Sequence, residues 1–298
     1  MKFHFLFLLL AVFLFISCDE LSGLLGEEEN GTEKITTAEV IDALKKALDV
    51  GVDESVSITS AVNGYFKDEI IKIILPEEAL FIQDNVNKIE LFQTLGIKSF
   101  IDEKLGEVEL SMNRSAEEAA KLAGGVFKDA IKKMSISDGV SILYGKNPAD
   151  SLTTKSSYEE FDSTAATAYL RALTFDSLMV AYSPIVNHAL DKDLIGIGLT
   201  TNDIWNGIVI KYNEGAIQYN NLIDLTGGIT GKTKIKLVEK ELDEYVTSKA
   251  LDGLFLKVSE QEKKIRKNPF EWAVKIIEKV FGFVLEHTNI EEFYELNT

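Results

Sequence analysis

Cysteine is nearly absent: one residue among 298, at position 18. That excludes a disulfide framework and a cysteine-ligated zinc site. Only four prolines occur, and no Pro-rich stretch divides the chain, which removes collagen-like and linker-divided architectures. Basic charge is scarce, with 31 Lys and Arg against 48 Asp and Glu and a formal net charge of −17. Neutralising phosphates takes clustered cations, so nucleic acid is not an expected partner. Apolar residues are plentiful at 46%. They suffice for a substantial core and exclude wholesale disorder.

The front of the chain carries an address. Residues 1–17 open with Lys2 and continue as an almost unbroken apolar run to Ile16 and Ser17. Charge, apolar stretch and small residue follow one another as in a secretory signal. The run is shorter than the roughly 20 residues that cross a bilayer as a helix. Phe15-Ile16-Ser17-Cys18 then resembles the lipobox of bacterial lipoproteins, with Phe15 where leucine is usual. The resemblance implies that Cys18 is acylated and becomes the mature N-terminus. An ordinary secreted protein with an incidental cysteine is the plainer alternative. Residues 18–34, with Glu27–Glu29 and several glycines, read as a flexible acidic tether. The expected location is the periplasmic face of the envelope, on either membrane.

The body, residues 35–285, reads as one all-α domain, a multi-helix bundle, followed by a divergent tail at 286–298. Thr36-Thr-Ala-Glu39 is a capping box, with Val40, Leu44, Ala47 and Leu48 on one face after it. Gly51 is expected to end that helix, and Asp53 to cap a short second one. Ile70–Leu75 is rich in β-branched residues and ends at Pro76. It reads as extended, and Glu107–Leu110 is a candidate partner in a short two-stranded ribbon. One helix is expected from Glu77 to Leu105 with a break at Gly96, and another at Ser115–Lys133 interrupted by Gly124-Gly125. Further helices are expected over Asp138–Tyr144, Tyr158–Leu173 and Thr174–Leu190.

Glu239–Lys267 is the most informative stretch. Acids crowd its first turns and Lys263, Lys264, Arg266 and Lys267 its last, which suits the helix dipole, and Pro269 ends the run. Glu260–Lys264 and Glu262–Arg266 are spaced as four-residue ion pairs. Ala250–Leu256 is apolar nearly all round, the mark of a buried helix. Gly253 there is expected to admit a neighbouring backbone.

Glu241–Phe255, continuing through Glu262–Pro269 to Lys279-Val-Phe-Gly282, resembles a family of bacterial lipoproteins catalogued only as domain of unknown function 4197. Ala43–Leu48, Ile73–Pro76, Glu109–Glu117, Phe127–Ile131, Ala168–Arg171 and Tyr182–Val186 resemble it as well. The likeness lapses at 210–236 and after Gly282. It implies a mainly helical, exported, lipid-anchored domain, and implies no reaction.

Motifs for chemistry are sparse. Beyond the leader only His188 and His287 remain, too few for a three-histidine zinc site. No calcium-loop spacing, Gly-x-Ser-x-Gly elbow or Ser-x-x-Lys occurs. Gly227–Thr233 mimics the end of a phosphate-binding loop, but Thr226 stands where the first glycine belongs, so it reads as a turn. No metal or cofactor is therefore expected. Arginine is the subtler signal: only Arg114, Arg171 and Arg266 occur. Where lysine is the default, an arginine invites a geometric reason. Helix-end complementarity accounts for Arg266. Asn113, Arg114, Arg171, Asp243, Tyr245 and Asp252 form the candidate polar network, either an internal ion pair fixing helix register or a cleft for an anionic group. Two functions follow. One is a lipid-anchored, non-enzymatic module binding an unidentified protein, lipid or small molecule. The other is a hydrolase-type enzyme using carboxylates in a cleft near Arg114 and Asp252.

Overall fold

Thr36 opens the first helix. Its hydroxyl accepts the Glu39 N–H at 3.2 Å while Glu39 accepts the Thr36 N–H at 2.8 Å, satisfying donors that a helix start leaves unpaired. The computed structural model describes residues 35–146, 161–226, 231–239 and 241–287. Among them are nine α-helices and no strand: α1 Thr37–Thr59, α2 Glu77–Lys88, α3 Glu90–Thr94, α4 Ile97–Lys133, α5 Gly139–Leu143, α6 Ala165–Leu190, α7 Thr201–Leu225, α8 Asp243–Lys267 and α9 Lys275–His287. A 3-10 turn at Pro269–Trp272 joins the last two. Helix α4 lies against α1, α6 and α7, and α8 packs along both α1 and α6. The core is the helical bundle expected from composition and periodicity.

Several boundaries differ from the sequence expectation, and packing explains each. Gly51 lies inside α1, buried against Val258 and Gln261 of α8. Asp53 caps nothing there; it pairs with Lys128 at 2.7 Å. Gly96 does interrupt, at φ 67°, a left-handed conformation that glycine adopts without penalty. Gly124 and Gly125, by contrast, are carried within α4. Each costs about 1 kcal/mol against alanine, which burial of Ala119, Ala120, Ala123 and Phe127 on the same helix outweighs. The two helices expected across Leu173–Thr174 are one, α6, with Pro184 inside it. Helix α8 begins at Asp243, four residues later than expected.

No ribbon forms. Glu107–Leu110 is helical; Ile70 and Ile71 lie in a turn closed by the Lys72 N–H on the Asp68 carbonyl at 2.8 Å, and only 72–75 run on beside α4, without a strand partner. Its pairing comes from a side chain instead. Asn113 accepts the Ile73 N–H at 2.8 Å and donates to the Ile73 carbonyl at 2.7 Å, as a neighbouring strand's peptide group would.

The same device recurs on α7. Asn220 makes this two-way contact with Ile235, and Asn213 makes it with Val238. Seven helical residues rise about 10 Å, and three extended residues span about the same distance, so the two asparagines match their partners in register. Residues 231–239 thereby form a strap along α7.

Candidate functional site

The segment 69–75, a turn followed by an extended stretch, is held together with the residues just before it from two sides. From α4 come Asn113 and Glu117, whose carboxylate accepts the backbone N–H groups of Tyr65 at 3.2 Å and Phe66 at 3.1 Å. Arg114 braces that carboxylate at 2.5 Å, donates to Asn63 at 2.9 Å and lies over the Phe66 ring. From α8, Lys257 pairs with Asp68 at 2.7 Å. Burial disfavours the charge on Lys257, but Asp68 and Glu260 outweigh it and its pKa is raised.

Two phenols complete the attachment. Tyr65 donates to the Ala250 carbonyl at 2.7 Å, and Tyr245 to the Ile74 carbonyl at 2.9 Å. Both pKa values are raised: burial comes first for each, with Glu78 and Glu77 adding at Tyr245. Both therefore act as donors at neutral pH. Gly253 makes room for this arrangement, because a Cβ there would sit 2.6 Å from Cε1 of Tyr65. The close neighbour is thus an aromatic ring rather than the backbone expected from the sequence.

Held in this way, the segment forms one wall of a groove of about 970 Å³, whose other walls are the start of α6 and the middle of α8. Ile70 and Ile74 stand exposed on the wall, with Leu80 beyond them. Arg171 of α6 and Asp252 of α8 meet at 2.6 Å in the groove, with side chains 41% and 40% exposed. The Arg171 guanidinium lies 4.3 Å from the Phe175 ring centre and 5.2 Å from that of Phe255. The two rings, their centres 6.2 Å apart, lie on adjacent sides of the guanidinium and hold it by cation–π attraction. Lys249 is exposed on the rim, 5.9 Å from the Tyr245 ring.

The candidate network therefore divides. Arg171, Tyr245 and Asp252 line one groove; Asn113 and Arg114 hold the far side of the same extended segment. Asp243 is in the first turn of α8, and neither arginine pairs with it among the described residues. Cys18 lies outside the described residues, as do residues 1–34 and the tail from 288 on. Of the loop-like stretch Gly227–Thr233, only Gly231–Thr233 is described, and it leads into the strap along α7 rather than a helix. Among the described residues no three His, Cys, Asp or Glu side chains are grouped to hold a metal ion.

Arg266 departs most from the sequence reading. It is not a solvent-facing helix-end charge but is buried, 4% exposed. It bonds Glu262 at 2.9 Å and the carbonyls of Leu143 at 2.7 Å and Ile142 at 3.0 Å. Glu262 in turn accepts the N–H groups of Ala166 and Thr167 at 3.0 and 2.7 Å. One ion pair thus satisfies the last carbonyls of α5 and the first amides of α6. The other pair expected on this helix does not form: Lys264 bonds Gln261, and Glu260 bonds Lys257. Phe175 and Phe255 were also missed as site residues. They follow Arg171 by four positions and Asp252 by three, a spacing that puts them on the same helix faces.

A family model described as a protein of unknown function, DUF4197, matches residues 34–157 and 159–282. The chain belongs to that family. The DUF4197 match runs through 210–236, where the sequence reading had the likeness lapse, and ends at Gly282 as expected. No curated protein and no solved structure matches the chain. Glu109–Glu117 holds the residues that pin the extended segment, Ala250–Phe255 holds Asp252 and the Tyr65 seat, and Glu262–Arg266 is the buried pair. Stretches within the DUF4197 match therefore build the groove and its supports.

Proposed function

We propose that this DUF4197 protein is exported, held at the periplasmic face of the cell envelope by an acylated Cys18, and binds a ligand in the groove between segment 69–75, α6 and α8. The anchor is supported by the leader and lipobox-like residues 1–18. It also accords with the helices: among the described residues none is long and apolar enough to cross a membrane. The groove carries the binding half of the proposal. At about 970 Å³ it has the dimensions of a small-molecule site, with apolar walls and a few directed polar groups.

Binding without reaction is the better supported reading. Hydrolysis by carboxylates needs two acids set in contrasting environments. Asp252 is engaged by Arg171, while Glu69 and Glu77 on the rim are exposed to water. Arg114, expected beside Asp252, is instead occupied with Glu117 and Asn63.

Two measurements test the proposal. Metabolic labelling with a fatty acid should mark the wild-type chain and not Cys18→Ser, which should leave the membrane fraction; persistent label on the variant removes the anchor. Mass spectrometry of small molecules retained by the purified chain should find a ligand depleted in Ala168→Trp and Ser259→Trp, which fill the groove. Equal retention by wild type and both helical, folded variants removes the groove as the binding site.

A further inference from the structure

We infer that the ligand of this groove is a single-chain amphiphile with an anionic head, a carboxylate or phosphate monoester on an alkyl tail. The inference rests on the binding role proposed above and names the chemistry of its ligand. It begins with donors left unused. Arg171 spends one terminal nitrogen on Asp252, and among the described residues its guanidinium makes no other hydrogen bond. Phe175 and Phe255 lie against it on adjacent sides, their ring centres 4.3 and 5.2 Å away, and the remaining N–H groups are those with which an arginine takes an oxyanion. Lys249 stands on the same groove and forms no ion pair among the described residues.

The contrast with the rest of the molecule sharpens the point. The chain carries an excess of 17 negative charges, yet the groove lining balances Lys72, Arg171 and Lys249 against Glu69, Glu77 and Asp252. Of those acids Asp252 is neutralised by Arg171, and the two glutamates lie exposed on the rim. An anion that enters therefore meets one free lysine and one partly free arginine.

Much of the rest of the lining is apolar, and part of it is exposed to water. Ile70 is 74% exposed, Ile74 61% and Leu80 50%, all three on the groove wall. Ile70, in the turn closed by the Lys72 N–H on the Asp68 carbonyl, and Ile74, in the stretch after it, are both exposed on the groove wall and together make an apolar strip there. Leu75, Phe255 and Leu256 continue the apolar lining. An alkyl tail laid along the strip would remove these side chains from water, while its head reaches Arg171 and Lys249. A purely polar anion would leave the strip bare, and a neutral alkane would leave the cations unanswered.

Photolabelling of the full chain in its own membrane tests this, using a twelve-carbon diazirine carboxylic acid beside the matching diazirine alcohol. The acid should label peptides spanning 69–80 and 249–259, with half-labelling at about one-tenth the alcohol's concentration, since one charge-assisted hydrogen bond contributes about a factor of ten or more. Arg171→Gln and Lys249→Gln should each narrow that gap and together close it, leaving the alcohol's labelling unchanged. Equal labelling by acid and alcohol in the wild type, or a gap that survives both substitutions, overturns the anionic-head inference while leaving the groove as a binding site. Absence of groove labelling by either probe, or labelling unchanged in Ala168→Trp, overturns the groove itself. Competition by unlabelled dodecanoate against dodecyl phosphate identifies the head: stronger competition by the first assigns a free fatty acid, by the second a phosphate-bearing lipid.

Discussion

Two arginines on neighbouring helices have opposite circumstances. Arg266 and Glu262 are each 3% exposed as side chains, and between them they bond two carbonyls of α5, two amides of α6 and the Thr167 hydroxyl. Arg171 and Asp252 are about 40% exposed and bond each other only once. In the first region the ion pair completes the backbone hydrogen bonding of two helix ends. In the second, donors remain and face a groove. An arginine with all three nitrogens bonded to the protein holds the fold together; one bonded through a single nitrogen beside apolar walls is available to a ligand.

The sharpest way to break that comparison is Arg266→Met. Removing one member of a buried pair leaves the other charge unanswered, at a cost of about 3–5 kcal/mol. Urea denaturation should show the loss. Exchanging both members for apolar residues of similar size often restores stability in buried pairs. Here the double variant Glu262→Met with Arg266→Met should not recover it, because the α5 carbonyls and α6 amides would remain without partners. Recovery in the double variant would mean that capping of the two helices contributes little.

The difference between the two arginines also marks what the residues alone disclosed. The capping box at Thr36 and the apolar middle of α8 were legible because each depends on residues near in sequence; residue type marked Arg171 and Asp252 as members of a polar network without saying that they pair with each other. Arg266 was not. Its position in a basic cluster at a helix end is a sufficient local explanation, and only the tertiary approach of α5 and α6 reveals it as buried. Of the segment 70–75, expected as extended throughout, 70 and 71 form a turn and only 72–75 run on without helix or strand, and the partner of that stretch was not legible. β-branched residues announce a strand without saying whether a strand or an asparagine will bond it. Gly51, Gly124 and Gly125 misled for a related reason: local propensity marks them as breaks, and contacts made by residues far away in the chain override it. Of the groove, Arg171, Tyr245 and Asp252 were legible; Lys249 and the isoleucine wall required the fold.

Arg171→Gln is the companion substitution, and its effect on stability should be small. A half-exposed pair is screened by water and salt, so its loss should cost less than about 1 kcal/mol in urea denaturation, well below the cost at Arg266. The stacking of Arg171 on Phe175 and Phe255 adds to that figure without bringing it near the buried pair. A loss as large as that of Arg266→Met would show that Arg171 is a structural staple after all, and would undo the division between the two regions.

A third ion pair extends the comparison to the exposed end of the scale. Glu118 on α4 is bonded by Lys121 at 2.6 Å and by Lys192 at 2.8 Å. Those two bonds, Lys121 first, lower its pKa from 4.5 to about 2 against a smaller opposing effect of burial. A carboxyl whose pKa falls on folding gives stability that is present above its unfolded value and lost as pH falls through its folded one. The Glu118 contribution should therefore be complete above about pH 5 and drain away as the pH approaches 2. Its partners are exposed, Lys121 at 58% and Lys192 at 37%, so solvent screening holds the contribution to roughly a few tenths of a kcal/mol. Glu118→Gln should accordingly flatten the fall in stability between pH 5 and 2 slightly, while leaving the value at pH 7 close to that of the wild type. Glu39 bends the same profile in the same direction, since Lys279 and Thr36 lower its carboxyl to about 2 as well, so the Gln variant reduces the slope without abolishing it. A profile indistinguishable from wild type down to pH 2 would mean that the two lysines hold Glu118 no better than water does.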